Sequence, residues 1–263
     1  MSTHSRSLKR WTGILGSLLG ILLSSMIFII WQDNQAKDTA TQDTVAASRI
    51  RIHRDGFDEI QLAKNNGRWQ FESPCQLLAN EQRLTPLLNA LKPGAHQYTA
   101  NEVDLEAAGL ITPNAIVYIN DTEHRLGNTD LKGERRYVQR GNVVEFAPEW
   151  VLSLVNGGVT ALATLEIFPE PLSKLSITDD SDAKIETTLP DKLAIWQNIS
   201  AQQIVTWPLQ DMTSTAGYQI DTIDDKGGIR SFSVYNNDTL TAIKPDDAQC
   251  AYILSKGSLP HPS

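Results

Sequence analysis

The feature that most constrains this chain is an apolar segment of 21 residues, Trp11–Trp31, which contains no charged side chain. The hydrocarbon core of a membrane is about 30 Å thick and is crossed by roughly 20 helical residues. Trp11 and Trp31 end the segment, and indole rings prefer the depth of the membrane interfaces. The sequence therefore predicts one transmembrane helix with Trp11 and Trp31 as interface anchors.

The charges beside this segment predict its orientation. Arg6, Lys9 and Arg10 precede it without an acidic residue, whereas residues 32–47 mix acidic and basic side chains. Because basic flanks stay in the cytoplasm, we expect a cytoplasmic tail 1–10, a signal anchor 11–31 and a periplasmic body, as in a single-pass protein of the bacterial inner membrane. A cleaved signal peptide is the alternative, but its apolar part usually has about 7–15 residues and a small-x-small site follows it.

Small residues recur at every fourth position of the segment, at Gly16, Gly20 and Ser24. Such a stripe lets two membrane helices approach closely, so these residues are candidates for a helix–helix contact. The alternative is that the glycines face lipid.

The charge balance of the rest of the chain excludes some partners. Without the three basic residues of the first 31, the sequence has 20 Lys and Arg against 31 Asp and Glu, a net charge of −11. An acidic body does not favour nucleic acid, nor lying flat on an anionic membrane. Residues 32–47 have the composition of a polar linker, and the body after them is long enough for one large domain or two small ones.

The two cysteines, Cys75 and Cys250, lie on the predicted outer side, where the environment is oxidising. A disulfide between them would join the early part of the body to its last strand. The alternative is two buried thiols that never meet, and the sequence leaves both states open.

The sequence of the body mainly predicts strands joined by tight turns. Asn66-Gly67, Asn120-Asp121 and Arg140-Gly141-Asn142 each separate two alternating segments, which predicts three hairpins. Strands are also expected at 49–53 and, in the second half, at 172–177, 184–187, 203–207, 217–223, 229–235, 240–243 and 250–254.

Short helices interrupt the strands. Leucines 84, 87, 88 and 91 have helical spacing, and Pro86 is either the first helical residue after a Thr85 cap or a kink in a helix begun near Asn80. Further helices are expected at 101–108, from Pro148 to Gly157, and from Pro190. The sequence thus predicts an α+β fold of two tandem modules of antiparallel strands and hairpins with short packing helices, at 48–158 and 159–258, followed by a tail at 259–263.

The first module resembles a family of uncharacterised bacterial membrane-anchored proteins, some of them encoded beside auxiliary proteins of gliding-type ABC transporters. The resemblance covers about residues 49–157, and it depends on the order of several short motifs: Lys64-x-x-Gly67-x-Trp69, Pro74, Ala79-Asn80, the four leucines, Gly109-Leu110-x-x-Pro113, Leu126-Gly127 and Arg136-Tyr137-Val138. It implies the architecture, an envelope location and a transport-associated partner, but no activity. The same positions also have structural explanations: Trp69 in the core, Gly67 in a turn and Gly109 at a helix end.

No catalytic or metal-binding motif is present in the sequence. It lacks Gly-x-Ser-x-Gly, Gly-x4-Gly-Lys-Ser/Thr, His-Glu-x-x-His and Cys-x-x-Cys, and no histidine pair has ligand spacing. The acidic residues Asp179, Asp180 and Asp182, and likewise Asp221, Asp224 and Asp225, read as solvated turns rather than calcium ligands. We therefore expect no catalytic residue, no metal and no cofactor.

Three functions remain compatible with the sequence. The first is a non-enzymatic subunit or accessory factor of an inner-membrane assembly, with a protein partner that could be bound along a strand edge. The second is a module that binds a small molecule or polymer between its two halves, with Trp69, Trp196 or Trp207 in the pocket. The third is an envelope hydrolase, because a carboxylate pair converges in space without fixed spacing.

Overall fold

Two antiparallel sheets contain the strands of this chain in the computed structural model, which describes residues 46–209, 212 and 216–260. The first sheet has eight strands in the order β3-β2-β1-β5-β6-β7-β8-β4. They are β1 Arg49–His53, β2 Ile60–Asn65, β3 Arg68–Ser73, β4 Tyr98–Thr99, β5 Ala115–Ile119, β6 Thr122–Thr129, β7 Arg135–Arg140 and β8 Val143–Pro148.

The second sheet has seven strands in the order β10-β9-β12-β13-β14-β15-β11. They are β9 Leu172–Asp179, β10 Lys184–Thr187, β11 Gln203–Thr206, β12 Tyr218–Asp224, β13 Ile229–Asn236, β14 Leu240–Pro245 and β15 Cys250–Ser255. Each strand pairing within the two sheets is antiparallel.

The turn residues explain the three predicted hairpins, which the structure confirms as β2–β3, β5–β6 and β7–β8. Asn66 and Gly67 both have positive φ, at 51° and 83°, as a two-residue turn between strands requires. Asn120 and Gly141 take the same left-handed region in the other two hairpins, with φ of 52° and 57°.

Four short α-helices pack beside the sheets: α1 Glu81–Ala90, α2 Trp150–Asn156, α3 Gly158–Leu162 and α4 Pro190–Gln197. Asn80 caps α1, since its side chain accepts a hydrogen bond from Arg83 N at 3.2 Å, and Pro86 lies inside the helix. Of the two explanations of Pro86, the helix begun near Asn80 is therefore correct.

The predicted helix at 101–108 is wrong. The structure has a 3-10 helix at Ala100–Glu102, followed by a turn in which the Asp104 carboxylate accepts from the N–H groups of Glu106 and Ala107 at 3.1 and 3.0 Å. An aspartate that binds nearby backbone groups in this way competes with a continuous helix.

One hydrophobic core is shared by both sheets. It includes Ile52 and Leu62 of the first sheet, Phe232 and Val234 of the second, and leucines of the helices. From Ala47 onward the chain forms a single unit around this core. The division into modules 48–158 and 159–258 stays a prediction, although the strands of each sheet come from one side of that boundary.

The structure corrects the predicted fold class. The predicted α+β class is wrong, because fifteen strands in two sheets dominate the described residues, and the α-helices there have only 5–10 residues. Helices this short form few internal hydrogen bonds and depend on packing against a larger framework. The fold is mostly antiparallel β.

The predicted localisation is corrected as well. In the part of the chain that the structure describes, no helix is long and apolar enough to cross a membrane. The longest has 10 residues, whereas a spanning helix needs roughly 20. The assignment as a single-pass inner-membrane protein with a periplasmic body is therefore not supported. The predicted anchor Trp11–Trp31, with the contact residues Gly16, Gly20 and Ser24, lies outside the described residues.

Candidate functional site

The first strand separates apolar from basic side chains. Ile50 and Ile52 of β1 are fully buried in the core. Because side chains alternate between the two faces of a strand, Arg49, Arg51 and His53 lie on the opposite face of the sheet, which we call the outer face. This face is formed by a strand at the centre of the first sheet, so its side chains stand on rigid backbone.

Cross-strand pairing brings three further side chains next to Arg51. Arg51 pairs with Tyr118 of β5, and Tyr118 pairs with Glu123 of β6. Arg125 lies two residues after Glu123 and therefore on the same face. We call Arg51, Tyr118, Glu123 and Arg125 the Arg–Tyr cluster.

The contacts of the cluster form a chain across three strands. The Arg51 guanidinium lies over the Tyr118 ring, with its central carbon 4.4 Å from the ring centroid. Tyr118 Oη donates a hydrogen bond to Glu123 Oε2 at 3.1 Å, and Arg125 Nε donates to Glu123 Oε1 at 2.6 Å. Each side chain of the cluster is therefore held by a neighbour on the next strand or two residues along its own.

The charges within the cluster leave the Arg51 guanidinium without an ion-pair partner among the described residues. The hydrogen bond from Arg125 is the main reason that the pKa of Glu123 is lowered, so this carboxylate is ionised and already balances Arg125. Desolvation, together with the hydrogen bond to Glu123, raises the pKa of Tyr118, so its hydroxyl stays protonated and donates. Among the described residues, neither Arg51 nor Arg49 forms a salt bridge.

This arrangement suits the recognition of an anion. It presents a guanidinium that is oriented by an aromatic ring. A guanidinium binds carboxylates through two parallel hydrogen bonds, and orienting it beforehand reduces the entropy lost on binding. The Arg–Tyr cluster can therefore bind an anionic group of a partner.

Sequence reasoning missed this site. The alternation Arg49-Ile-Arg-Ile-His53 did indicate a strand with a basic face. The other members of the cluster are 67–74 positions farther along the chain, and only the register of β1 with β5 and of β5 with β6 brings them to Arg51. No local pattern specifies that register.

The tryptophans expected in a binding pocket lie elsewhere. Trp69 and Trp196 are both 5 % exposed and belong to the hydrophobic core. Trp207 stacks on Tyr235, with ring centroids 4.4 Å apart, in a separate small cluster of the second sheet. The structure therefore does not bring the three rings together.

A shallow depression lies beside the β12–β13 hairpin, lined by residues such as Phe168, Glu170, Asp224 and Arg230. Its cavity volume is only about 30 Å³, at most about a tenth of the roughly 300–1,000 Å³ of ligand pockets. The Glu170 carboxylate forms two ion pairs, one with Arg68 and one with Lys226 at 3.2 Å. This carboxylate is therefore part of an ion-pair network.

In the acidic turns, aspartate carboxylates accept hydrogen bonds from backbone N–H groups of the same turn. Asp179 Oδ1 accepts from the N–H groups of Ser181 and Ala183 at 2.9 and 3.0 Å, and Asp224 Oδ1 accepts from Gly228 N at 2.7 Å. Within the described ranges, no group of three His, Cys, Asp or Glu side chains is arranged to hold a metal ion.

His124 is buried against the inner side of the first sheet. Its Nδ1 lies 3.1 Å from Thr122 O. Burial, together with the nearby charge of Arg140, lowers its pKa, so the imidazole is neutral in the folded protein. Glu145, also buried, accepts from Gly94 N at 2.8 Å and lies 3.6 Å from Arg140. These contacts fix the loop after α1 to the sheet.

Several residues of the motifs on which the resemblance depends lie close together around Gly127. Gly127 O accepts hydrogen bonds from the buried side chain of Arg136 and, at 2.8 Å, from Asn114 Nδ2. A Cβ on Gly127 would overlap the Ala108 carbonyl oxygen, so only glycine allows the segment before Gly109 to lie this close. These motif positions have structural roles.

The two cysteines are joined. Cys75, in the loop after β3, forms a disulfide with Cys250 at the start of β15, and their Cα atoms are 5.4 Å apart. Both residues are buried, and the bond connects the first half of the chain to the penultimate strand of the second sheet. Disulfides persist in oxidising compartments, so the body is suited to one.

Comparison with known proteins adds no relative to these observations. The resemblance drawn from the short motifs stays a prediction. No family model, no curated protein and no solved structure was found to match this chain.

Proposed function

We propose that this protein is a non-enzymatic binding subunit, or accessory factor of a larger assembly, that recruits a protein partner through the Arg–Tyr cluster. The observation that carries the proposal is Arg51, a guanidinium held over the Tyr118 ring on a central strand, without a carboxylate partner among the described residues. Arginine and tyrosine are among the residue types that contribute most to the energy of protein interfaces.

The chemistry of the cluster favours a partner with a carboxylate side chain. Arg49 and Arg51 lie two residues apart on one face, and neither guanidinium has a salt-bridge partner in the part of the chain that the structure describes. The chain as a whole carries a net charge of −8, which repels a polyanion such as nucleic acid. A single carboxylate at an interface experiences mainly the local charge, because salt screens interactions beyond about 8–10 Å.

An apolar contact lies at the end of the same strand. Phe57, in the turn after β1, is 66 % exposed, and the Arg54 guanidinium lies 4.7 Å from its ring centroid. The cation beside this ring is Arg54 and not Arg51, so Phe57 is an exposed apolar group at the end of β1 and not a member of the Arg–Tyr cluster.

Photo-crosslinking tests this function. A photoreactive amino acid replaces His53, which is exposed on the outer face beside Arg51, in the full-length chain in its native cells. We expect one discrete protein adduct, reduced at least about tenfold by Arg51→Glu because the charge that binds the carboxylate is reversed. Arg51→Lys keeps the charge but loses the planar fork, so an intermediate yield is expected.

Lys132→Glu is the matched control, because it makes the same change of charge at an exposed turn residue outside the cluster. Its adduct should form as in the unmodified chain, and each variant should still unfold in one cooperative thermal transition well above the temperature of the experiment. An adduct that persists with Arg51→Glu, or the absence of a discrete adduct from the outer face, would contradict the proposed function.

A further inference from the structure

Strand β10 is an open edge of the second sheet. The opposite edge, β11, is covered by α3, where Thr160 Oγ1 donates to Ile204 O at 3.1 Å and accepts from Ile204 N at 3.0 Å. In the first sheet, the segment 77–79 covers β3 through backbone hydrogen bonds, and β4 has only two residues. Among the edge strands that the structure describes, β10 is therefore four residues long, and neither a strand nor a helix pairs along its outer side.

The hydrogen-bond pattern shows which backbone groups β10 presents. Asp179 N donates to Ala183 O at 3.2 Å, which makes these two residues a hydrogen-bonded pair at the turn between β9 and β10. Hydrogen-bonded and non-hydrogen-bonded pairs alternate along an antiparallel ladder. Ile185 therefore points its N–H and C=O towards Ile177 of β9, whereas Lys184 and Glu186 point theirs outward.

This pattern restricts how two copies of the strand could pair. Antiparallel pairing needs residues with outward groups opposite each other, so Lys184 can face Lys184, Glu186 can face Glu186, or Lys184 can face Glu186. The first two registers place like charges together, which is destabilising across a strand pair. In the third register, Lys184 of each copy faces Glu186 of the other, so both charge pairs are complementary.

The complementary register also places an apolar residue on the symmetry axis. Ile185 then faces its own copy as a non-hydrogen-bonded pair, in which side chains approach most closely. Ile185 is 46 % exposed and lies on the same face as buried Ile177, at the margin of the core. Glu186 is bound by Lys174 and Lys184 at 2.8 Å each, so its carboxylate stays ionised.

We propose that β10 of one copy pairs antiparallel with β10 of a second copy, about a two-fold axis through Ile185, and so joins two seven-stranded sheets into a continuous one. This inference goes beyond the proposed function and is independent of it, because it concerns the other sheet and the partner is the chain itself.

Charge exchange between the two positions tests this pairing. The full-length protein, kept in mild detergent because of its apolar segment, is studied by sedimentation equilibrium. Lys184→Glu and Glu186→Lys each place two like-charge pairs at the interface, and we expect the dimer dissociation constant to rise by at least about tenfold in each. The two variants mixed together, and the double variant K184E/E186K, restore opposite charges and should form dimers as the original chain does.

A cysteine at the axis tests the register. Ile185→Cys should cross-link to its own copy on mild oxidation, since directly opposite residues have a Cα separation suited to a disulfide. Ile195→Cys is the matched control, an exposed isoleucine of α4 that is 58 % exposed and should not cross-link. Three results would overturn the proposal. The chain could be a monomer at all concentrations, the dimer dissociation constant could be unchanged by the charge exchange, or the two cysteine variants could cross-link equally.

Discussion

Arg136 and Arg51 illustrate two different uses of one type of side chain. Arg136 is 5 % exposed and binds Glu149 Oε1 at 2.6 Å as well as the Gly127 carbonyl, so its charge is compensated inside the protein. The Arg51 guanidinium lies over the Tyr118 ring and forms no salt bridge among the described residues. The first arginine holds α2 to the sheet, and the second is available to a partner.

The buried imidazole of His124 should make stability depend on pH. Its pKa is lowered in the folded state by burial, whereas the unfolded chain takes up a proton near the usual value of 6.5. Stability from this group is therefore complete above about pH 6.5 and is lost as the pH falls below it, by up to about 1.4 kcal/mol per pH unit. We expect His124→Asn to show a smaller decline in the free energy of unfolding between pH 6.5 and 5.

Denaturant unfolding at several pH values checks this expectation. The difference between the original chain and His124→Asn should be constant above about pH 7.5, where neither state binds the extra proton. Parallel stability curves through pH 5 would show that the imidazole titrates alike in both states.

At the scale of elements, the Thr160 hydroxyl of α3 binds both backbone groups of Ile204 in the edge strand β11. Thr160→Val keeps the shape of the side chain but leaves the N–H and C=O of Ile204 without their partner. An unsatisfied buried backbone group costs about 1–3 kcal/mol, so we expect a loss of that size in the free energy of unfolding. Thr160→Ser retains the hydroxyl and should lose less than about 1 kcal/mol; equal losses for both substitutions would assign the effect to packing instead.

The elements differ in how far sequence alone predicts them. The hairpins at Asn66-Gly67 and Asn120-Asp121 were predictable because Asn66, Gly67 and Asn120 are residue types that readily adopt the positive φ they have in these turns. Pairings between distant strands, such as β1 with β5 or β11 with β15, were not predictable, because the residues that meet carry no shared local pattern. The Arg–Tyr cluster depends on such a pairing, so only the position of Arg51 on the basic face of β1 could be predicted.

At the scale of the whole molecule, one covalent bond joins the two sheets across their shared core. The cysteines are separated by 175 residues, so the chain-entropy model assigns the disulfide about 5 kcal/mol of stabilisation. We expect the Cys75→Ser/Cys250→Ser variant to unfold at a markedly lower denaturant concentration than the oxidised chain. The reduced original chain is the control and should resemble the variant. Equal stability of the oxidised and reduced forms would mean that the unfolded chain gains little freedom on reduction.

The position of this bond also sets an order of events during synthesis. Cys75 is made early, but its partner at position 250 emerges only 175 residues later, which at 5–20 residues per second is roughly 10–35 s. The strands of the first sheet, all complete by residue 148, can pair during that delay while Cys75 still carries a free thiol. The disulfide can form only after nearly the whole chain has been made, so any truncation before Cys250 leaves the Cys75 thiol without its partner.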